Sequence, residues 1–183
     1  METYIALLRG VNVGGLRKVS MPLLKAAFEE AGFGAVRTYI NSGNVIFSAP
    51  ITEAVTLQEI CRGLLEKHFG FVVPVAVVRA EDWQEVMAHA PAWWGQDPAA
   101  KHNAIVVIAP ATAEAIIEAI GETKPEYERA AVYGRVIFWS APVATFAHAR
   151  WAQVVSSSEA YNSITIRNAN TAKKLLALAF PQE

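Results

Sequence analysis

The chain contains one cysteine, Cys61, in 183 residues. No intrachain disulfide can form, and a reducing compartment suits such a composition. Histidine is scarce as well: His68, His89, His102 and His148 are scattered without metal-ligand spacing, which argues against a zinc centre or any other metal site. The net charge is −1, so there is no general basic field for nucleic acid. Long apolar runs are missing. The longest, Phe69 to Val78, is broken by Gly70 and Pro74 and is too short to span a bilayer. The start, Met1-Glu2-Thr3-Tyr4, lacks the basic stretch and cleavage site of a secretory signal. The expectation is a cytoplasmic globule without a membrane span.

Signatures of common chemistry are equally scarce. Gly10 and Gly15 have the glycine spacing of a P-loop, but Leu16 stands where lysine must follow, and no Gly-x-Gly-x-x-Gly fingerprint occurs. Ser156-Ser157-Ser158 lacks the strand-turn-helix setting of a nucleophile elbow. Cys61 sits among apolar helix positions, as a buried thiol does. No cofactor is implied, and no set of nucleophile, base and oxyanion donor can be assembled from spacing.

What is present is apolar pattern, 53% of the residues being hydrophobic, enough for one large core or two small ones. Tyr4 to Leu8 reads as a buried strand. Ser20 and Pro22 suit the start of a helix whose apolar positions are Leu24, Ala27, Phe28 and Ala31, with Gly32 as its stop. Val36 to Ile40 and Val45 to Ser48 read as strands joined by a turn at Asn41-Ser42-Gly43-Asn44. A helix from Thr52 to His68 presents Leu57, Ile60, Cys61, Leu64 and Leu65 on one face, and Val75 to Val78 reads as a strand.

The order strand, helix, strand, strand, helix, strand is the split βαβ or ferredoxin-like arrangement. A linking helix, Glu81 to Ala90, and a loop, Pro91 to His102, lead into a second set. There Ile105 to Ala109 is a strand and Ala113 to Ile120 a helix. Tyr127 to Val132 and Val136 to Trp139 form a hairpin, Thr145 to Val155 a helix, Ser163 to Ile166 a strand, and Asn170 to Phe180 a helix. The expected fold class is α+β, two tandem ferredoxin-like subdomains with antiparallel sheets. The first spans residues 1–80, the connector 81–102, and the second, with its C-terminal helix, 103–183.

The topology places two polar bends together. Right-handed crossovers make the first two strands of such a unit parallel, so both finish at one end of the sheet. The loop Arg9 to Lys18 and the turn Asn41 to Asn44 then share a rim. Gly10, Gly14 and Gly15 offer backbone amides to an anion, Arg9, Arg17 and Lys18 offer charge, and Asn12, Ser42, Gly43 and Asn44 complete the candidate binding set. A second candidate, Arg167, Asn168 and Thr171, joins a strand to a helix, where capping and an ion pair of Arg167 with an acidic group compete with anion binding.

These segments carry a resemblance. Leu8-Arg9-Gly10-Val11-Asn12-Val13-Gly14-Gly15 is the first, and Thr38-Tyr39-Ile40-Asn41-Ser42-Gly43-Asn44-Val45-Ile46-Phe47 the second. The third is Thr165-x-Arg167-Asn168-x-x-Thr171-x-x-Lys174-Leu175. In this order they resemble a family of bacterial proteins known as domain of unknown function 1697. The resemblance implies paired ferredoxin-like halves and no activity. This chain has Ala169 where a tryptophan usually follows the arginine-asparagine pair, and Asn41 where glutamine often stands.

Three functional readings compete. The first is a small anionic or phosphate-bearing ligand at the glycine rim, in a binding protein or an enzyme. The second is an interaction or self-association module using edge strands and the Trp93-Trp94 loop. RNA binding is the third and weakest, since Val45 to Ser48 carries one aromatic and the charge balance is slightly acidic.

Overall fold

The structure, a computed structural model, describes residues 1–181. The final two positions of the expected second subdomain lie outside the described residues. Two compact units are present. One comprises Met1–Gln84 with the segment that begins at Leu175, and the other Glu85–Lys174.

The first unit contains β1 (Glu2–Leu8), α1 (Met21–Glu30), β2 (Gly34–Tyr39), β3 (Asn44–Ala49), α2 (Ala54–Phe69) and β4 (Val75–Arg79). Its sheet has the order β2-β3-β1-β4, with antiparallel neighbours throughout. The apolar run of β1 lies at the centre, where Tyr4, Ala6 and Leu8 join Leu24, Phe28, Phe47, Leu57 and Leu65 in one core. Phe47 meets Phe28 edge-on at 5.3 Å and stacks with Tyr4 at 5.8 Å. Ile60 departs from expectation and is 47% exposed, while Gln58 is buried. The buried stripe of α2 is centred on Leu57, Cys61, Leu64 and Leu65, and at the helical repeat Ile60 falls about 100° away from it. Ser20 occupies the N-cap of α1, yet its side chain makes no capping bond.

α3 (Ala80–Ala88) leads to the second unit, with β5 (Ala100–Val107), α4 (Ala113–Ile120), β6 (Arg129–Tyr133), β7 (Val136–Pro142), α5 (Arg150–Val154) and β8 (Ile164–Asn168); α6 (Ala169–Ala179) starts in this unit and ends in the segment grouped with the first. The sheet order is β6-β7-β5-β8, again antiparallel. Two four-stranded sheets of this kind are consistent with tandem ferredoxin-like units.

Two sequence expectations need correction here. β5 starts at Ala100, so the last residues of the expected Pro91 to His102 loop are strand. The expected helix from Thr145 to Val155 is interrupted: Val143–His148 is a 3-10 turn, Ala149 is extended, and α5 begins at Arg150. The interruption has a physical cause. Arg150 N and Trp151 N donate to the Glu128 carboxylate at 2.9 and 3.1 Å, so the acid caps a helix start that a continuous helix would not have. Among the described residues no helix is long and apolar enough to cross a membrane.

Candidate functional site

β1 and β2 deliver their ends to the same rim. Leu8 N donates to Gly43 O at 2.8 Å, and Leu7 pairs with Asn44 across β1 and β3. The loop after β1 then folds into a miniature hairpin. Asn12 N donates to Arg17 O at 3.1 Å, and Leu16 N to Val13 O at 3.1 Å. Gly14 and Gly15, with φ of 59° and 75°, supply the two positive φ values that a primed two-residue turn demands. A Cβ built on either would meet nothing within 4 Å, so the tip faces open space.

Asn12 fixes this hairpin to its surroundings. Its Nδ2 donates to Val19 O at 2.9 Å and to Asn41 O at 2.8 Å, while its Oδ1 accepts from Val19 N at 2.9 Å. Asn44 does similar work in the facing turn: it is fully buried, and its Nδ2 donates to Tyr39 O at 2.9 Å and to Ser42 Oγ at 3.0 Å. Gly43 is a packing glycine, because a Cβ there would sit 2.7 Å from Leu8 Cβ and 2.8 Å from Val11. Asn12, Gly43 and Asn44 thus weld the rim together. Gly10, Gly14, Gly15, Arg17 and Lys18 are exposed on it, while Arg9 and Ser42 are half-buried.

Beside the hairpin a cleft of about 560 Å³ is lined by Gly15, Lys18, Ser20, Pro22, Asn12 and Asn41, among others. It adjoins the N-terminus of α1, the end of a helix that favours negative charge. From Arg9 to Ser20 the chain holds two arginines, a lysine and no acid. The chemistry on offer is charge and hydrogen-bond donation to an anion.

The second candidate segment belongs to the other unit. Asn168 Oδ1 accepts from Thr171 N at 2.8 Å, a side-chain cap on α6. Arg167 is 5% exposed. Its Nη1 donates to Thr165 Oγ1 at 2.9 Å and to Ile166 O at 2.8 Å, and burial pushes its guanidinium pKa down to about 10. Lys173 lies 5.8 Å from the centre of the Trp94 ring.

Trp94 itself is buried and meets Phe138 edge-on at 5.0 Å, donating from Nε1 to Asn103 O at 2.9 Å. It offers no stacking surface. Phe47, the one aromatic of β3, is likewise buried in the first core. Among the described residues no group of three or more His, Cys, Asp or Glu converges as a metal would require.

Two clusters have no counterpart in residue spacing. The buried Glu128 carboxylate accepts from Trp139 Nε1 at 3.0 Å and Lys124 N at 2.9 Å, besides the two α5 amides. His102, on β5, faces Ser140, on β7, in direct register. The pairing of His102 with Ser140 follows from the strand register, and the Ala-Lys-His-Asn start of β5 has no periodic pattern that announces it.

The family model described as "Protein of unknown function (DUF1697)" matches residues 1–138, a span that contains the glycine loop and ends before the Arg167 segment. No curated protein matches the chain. Among solved structures it is similar to "The structure of conserved bacterial protein SP0830 from Streptococcus pneumoniae", with 27% identity and a TM-score of 0.88, covering 97% of this chain and 98% of that one.

Proposed function

The chain belongs to the family of proteins of unknown function DUF1697, and on that premise, which carries no activity, we propose that it binds a small anionic or phosphate-bearing ligand at the Arg9–Lys18 loop. The observation that carries this reading is a cationic, acid-free hairpin held in one shape by the Asn12 amide and flanked by a cleft at the start of α1. A preordered loop loses little entropy on binding, so charge-assisted hydrogen bonds are retained as affinity. Arg9, Arg17 and Lys18 supply charge, Gly10, Gly14 and Gly15 supply amides, and Ser42 supplies a hydroxyl. Arg167, Asn168 and Thr171 are a separate anion-binding candidate whose cap is already made within the protein. We read both units as ferredoxin-like, the second with its crossover helix divided.

Thermal melts with inorganic phosphate, pyrophosphate and nucleoside mono- and diphosphates test the reading. A ligand held at a hundred times its Kd raises stability by about 2.7 kcal/mol. The double variant Arg17→Ala, Lys18→Ala changes exposed side chains only and abolishes most of that shift. Unchanged melting with every phosphate at millimolar concentration overturns the proposal.

One observation favours the interaction reading as the alternative. Val13 and Leu16, at the hairpin tip, are 66% and 74% exposed, an apolar pair that a protein surface would cover. Light scattering on the wild type and on Val13→Ser, Leu16→Ser decides whether that tip drives self-association.

A further inference from the structure

We propose a second, catalytic site in the Glu85–Lys174 unit, in which Ser140 is a nucleophile activated by His102 toward small esters. His102 Nε2 lies 2.8 Å from the backbone carbonyl of Asp97, and His102 Nδ1 lies 2.5 Å from Ser140 Oγ. A carbonyl can only accept, so the neutral ring carries its proton on Nε2. Nδ1 is then the acceptor, and the Ser140 hydroxyl donates to it. Nucleophile, base and orienting acceptor stand in the order that activates a serine, with a main-chain carbonyl as the third member.

The strand register explains the geometry. Ser140 on β7 is the cross-strand partner of His102 on β5 and of Arg129 on β6, so the three side chains form one row on one sheet face. The row opens into a cavity of about 230 Å³, walled in part by Trp93 and Tyr127. Both members of the pair line it, although Ser140 is only 7% exposed. That volume suits a short acyl group. Arg129 lines the same cavity and supplies the positive charge that the oxygen developing negative charge during attack requires.

The step balances with water as the only co-reactant. Ser140 Oγ bonds to the ester carbonyl carbon as its proton passes to His102 Nδ1. The carbon–alkoxy bond breaks, and the departing oxygen takes that proton and leaves as an alcohol. A water then gives a proton to Nδ1 and its oxygen to the carbon, the carbon–Oγ bond breaks, and the proton returns to Oγ. Ester and water become acid and alcohol.

Diisopropyl fluorophosphate and p-nitrophenyl acetate test the assignment on the full chain. The expected result is a phosphoryl adduct mapped by mass spectrometry to Ser140 and absent from Ser140→Ala. Modification is at least tenfold slower in His102→Gln, and p-nitrophenyl acetate hydrolysis falls to the uncatalysed rate in Ser140→Ala. Melting curves establish that both variants fold, and the wild-type adduct site stands as evidence even where one does not. No adduct on Ser140 after prolonged millimolar exposure of the wild type overturns the proposal. So does an adduct that forms equally fast in a folded His102→Gln.

Discussion

The side-chain amide of Asn12 reaches across the rim to the backbone carbonyl of Asn41 at 2.8 Å, tying the loop after β1 to the turn after β2. The same side chain exchanges two hydrogen bonds with the backbone of Val19 just before α1. One residue therefore sets where the glycine hairpin sits relative to both its neighbours. Asn12 also has φ of 56°, a left-handed conformation that asparagine tolerates better than most residues. Asn12→Ala removes three hydrogen bonds and places alanine in that region, at a combined cost of about 2–4 kcal/mol. Asn12→Gly loses the same bonds without the backbone penalty and is the milder variant. Urea melts of the pair separate the two contributions. Equal destabilisation by Ala and Gly shows that backbone strain plays no part.

Gly43 and Gly14 make opposite predictions from the same formal change. Both have positive φ, 81° and 59°. At Gly43 an added methyl collides with Leu8 and Val11, whereas at Gly14 it enters open space. Gly14→Ala costs only the left-handed penalty, about 1 kcal/mol. Gly43→Ala adds overpacking at a strand end and reaches about 3 kcal/mol or more. Denaturant midpoints check the difference, and similar values for the two variants refute the packing role of Gly43.

The shared rim was legible because it depends only on strand order and crossover handedness, which the run of apolar segments already encodes. The welding role of Asn12 was not. An asparagine among glycines looks the same from spacing whether its amide meets a ligand or three backbone groups. The broken helix before β8 was hidden for a related reason: its cause, Glu128, lies 22 residues upstream of Arg150. His102 reads as loop because Lys101, His102 and Asn103 form an unbroken polar stretch that hides the start of β5. Long-range polar partners are set by the fold, and local periodicity carries no trace of them.

Glu128 accepts from four N–H donors while only 3% exposed. A carboxylate can satisfy all four, since each oxygen accepts two. Glu128→Gln keeps the shape but turns one end into a donor aimed at donors. It costs about 2–4 kcal/mol, in the range for breaking a buried charge-assisted network. Glu128→Ala costs at least as much and also frees the start of α5, read as lost amide protection at Arg150 and Trp151 in hydrogen exchange. A Gln variant as stable as the wild type shows that the carboxylate charge is not what holds the cluster.

Cys61 gives a test with a defined sign. Burial on the apolar face of α2 pushes its thiol from 9.0 up to about 12. The folded protein therefore holds the proton while the unfolded chain releases it above pH 9. Between those values the native state binds more protons than the unfolded state, so its stability falls as pH rises, by at most about 1.4 kcal/mol per pH unit from this group. Below pH 9 the contribution is flat. Other groups titrate in the same alkaline window, so the measurement is the difference in unfolding free energy between wild type and Cys61→Ala. That difference shrinks as pH climbs above 9, because the alanine variant lacks the linked proton. The same burial makes the native thiol inert to iodoacetamide at about pH 8, with alkylation appearing only as denaturant opens the core. Rapid native alkylation, or parallel stability profiles for the two proteins up to the alkaline limit, contradicts a buried, protonated Cys61.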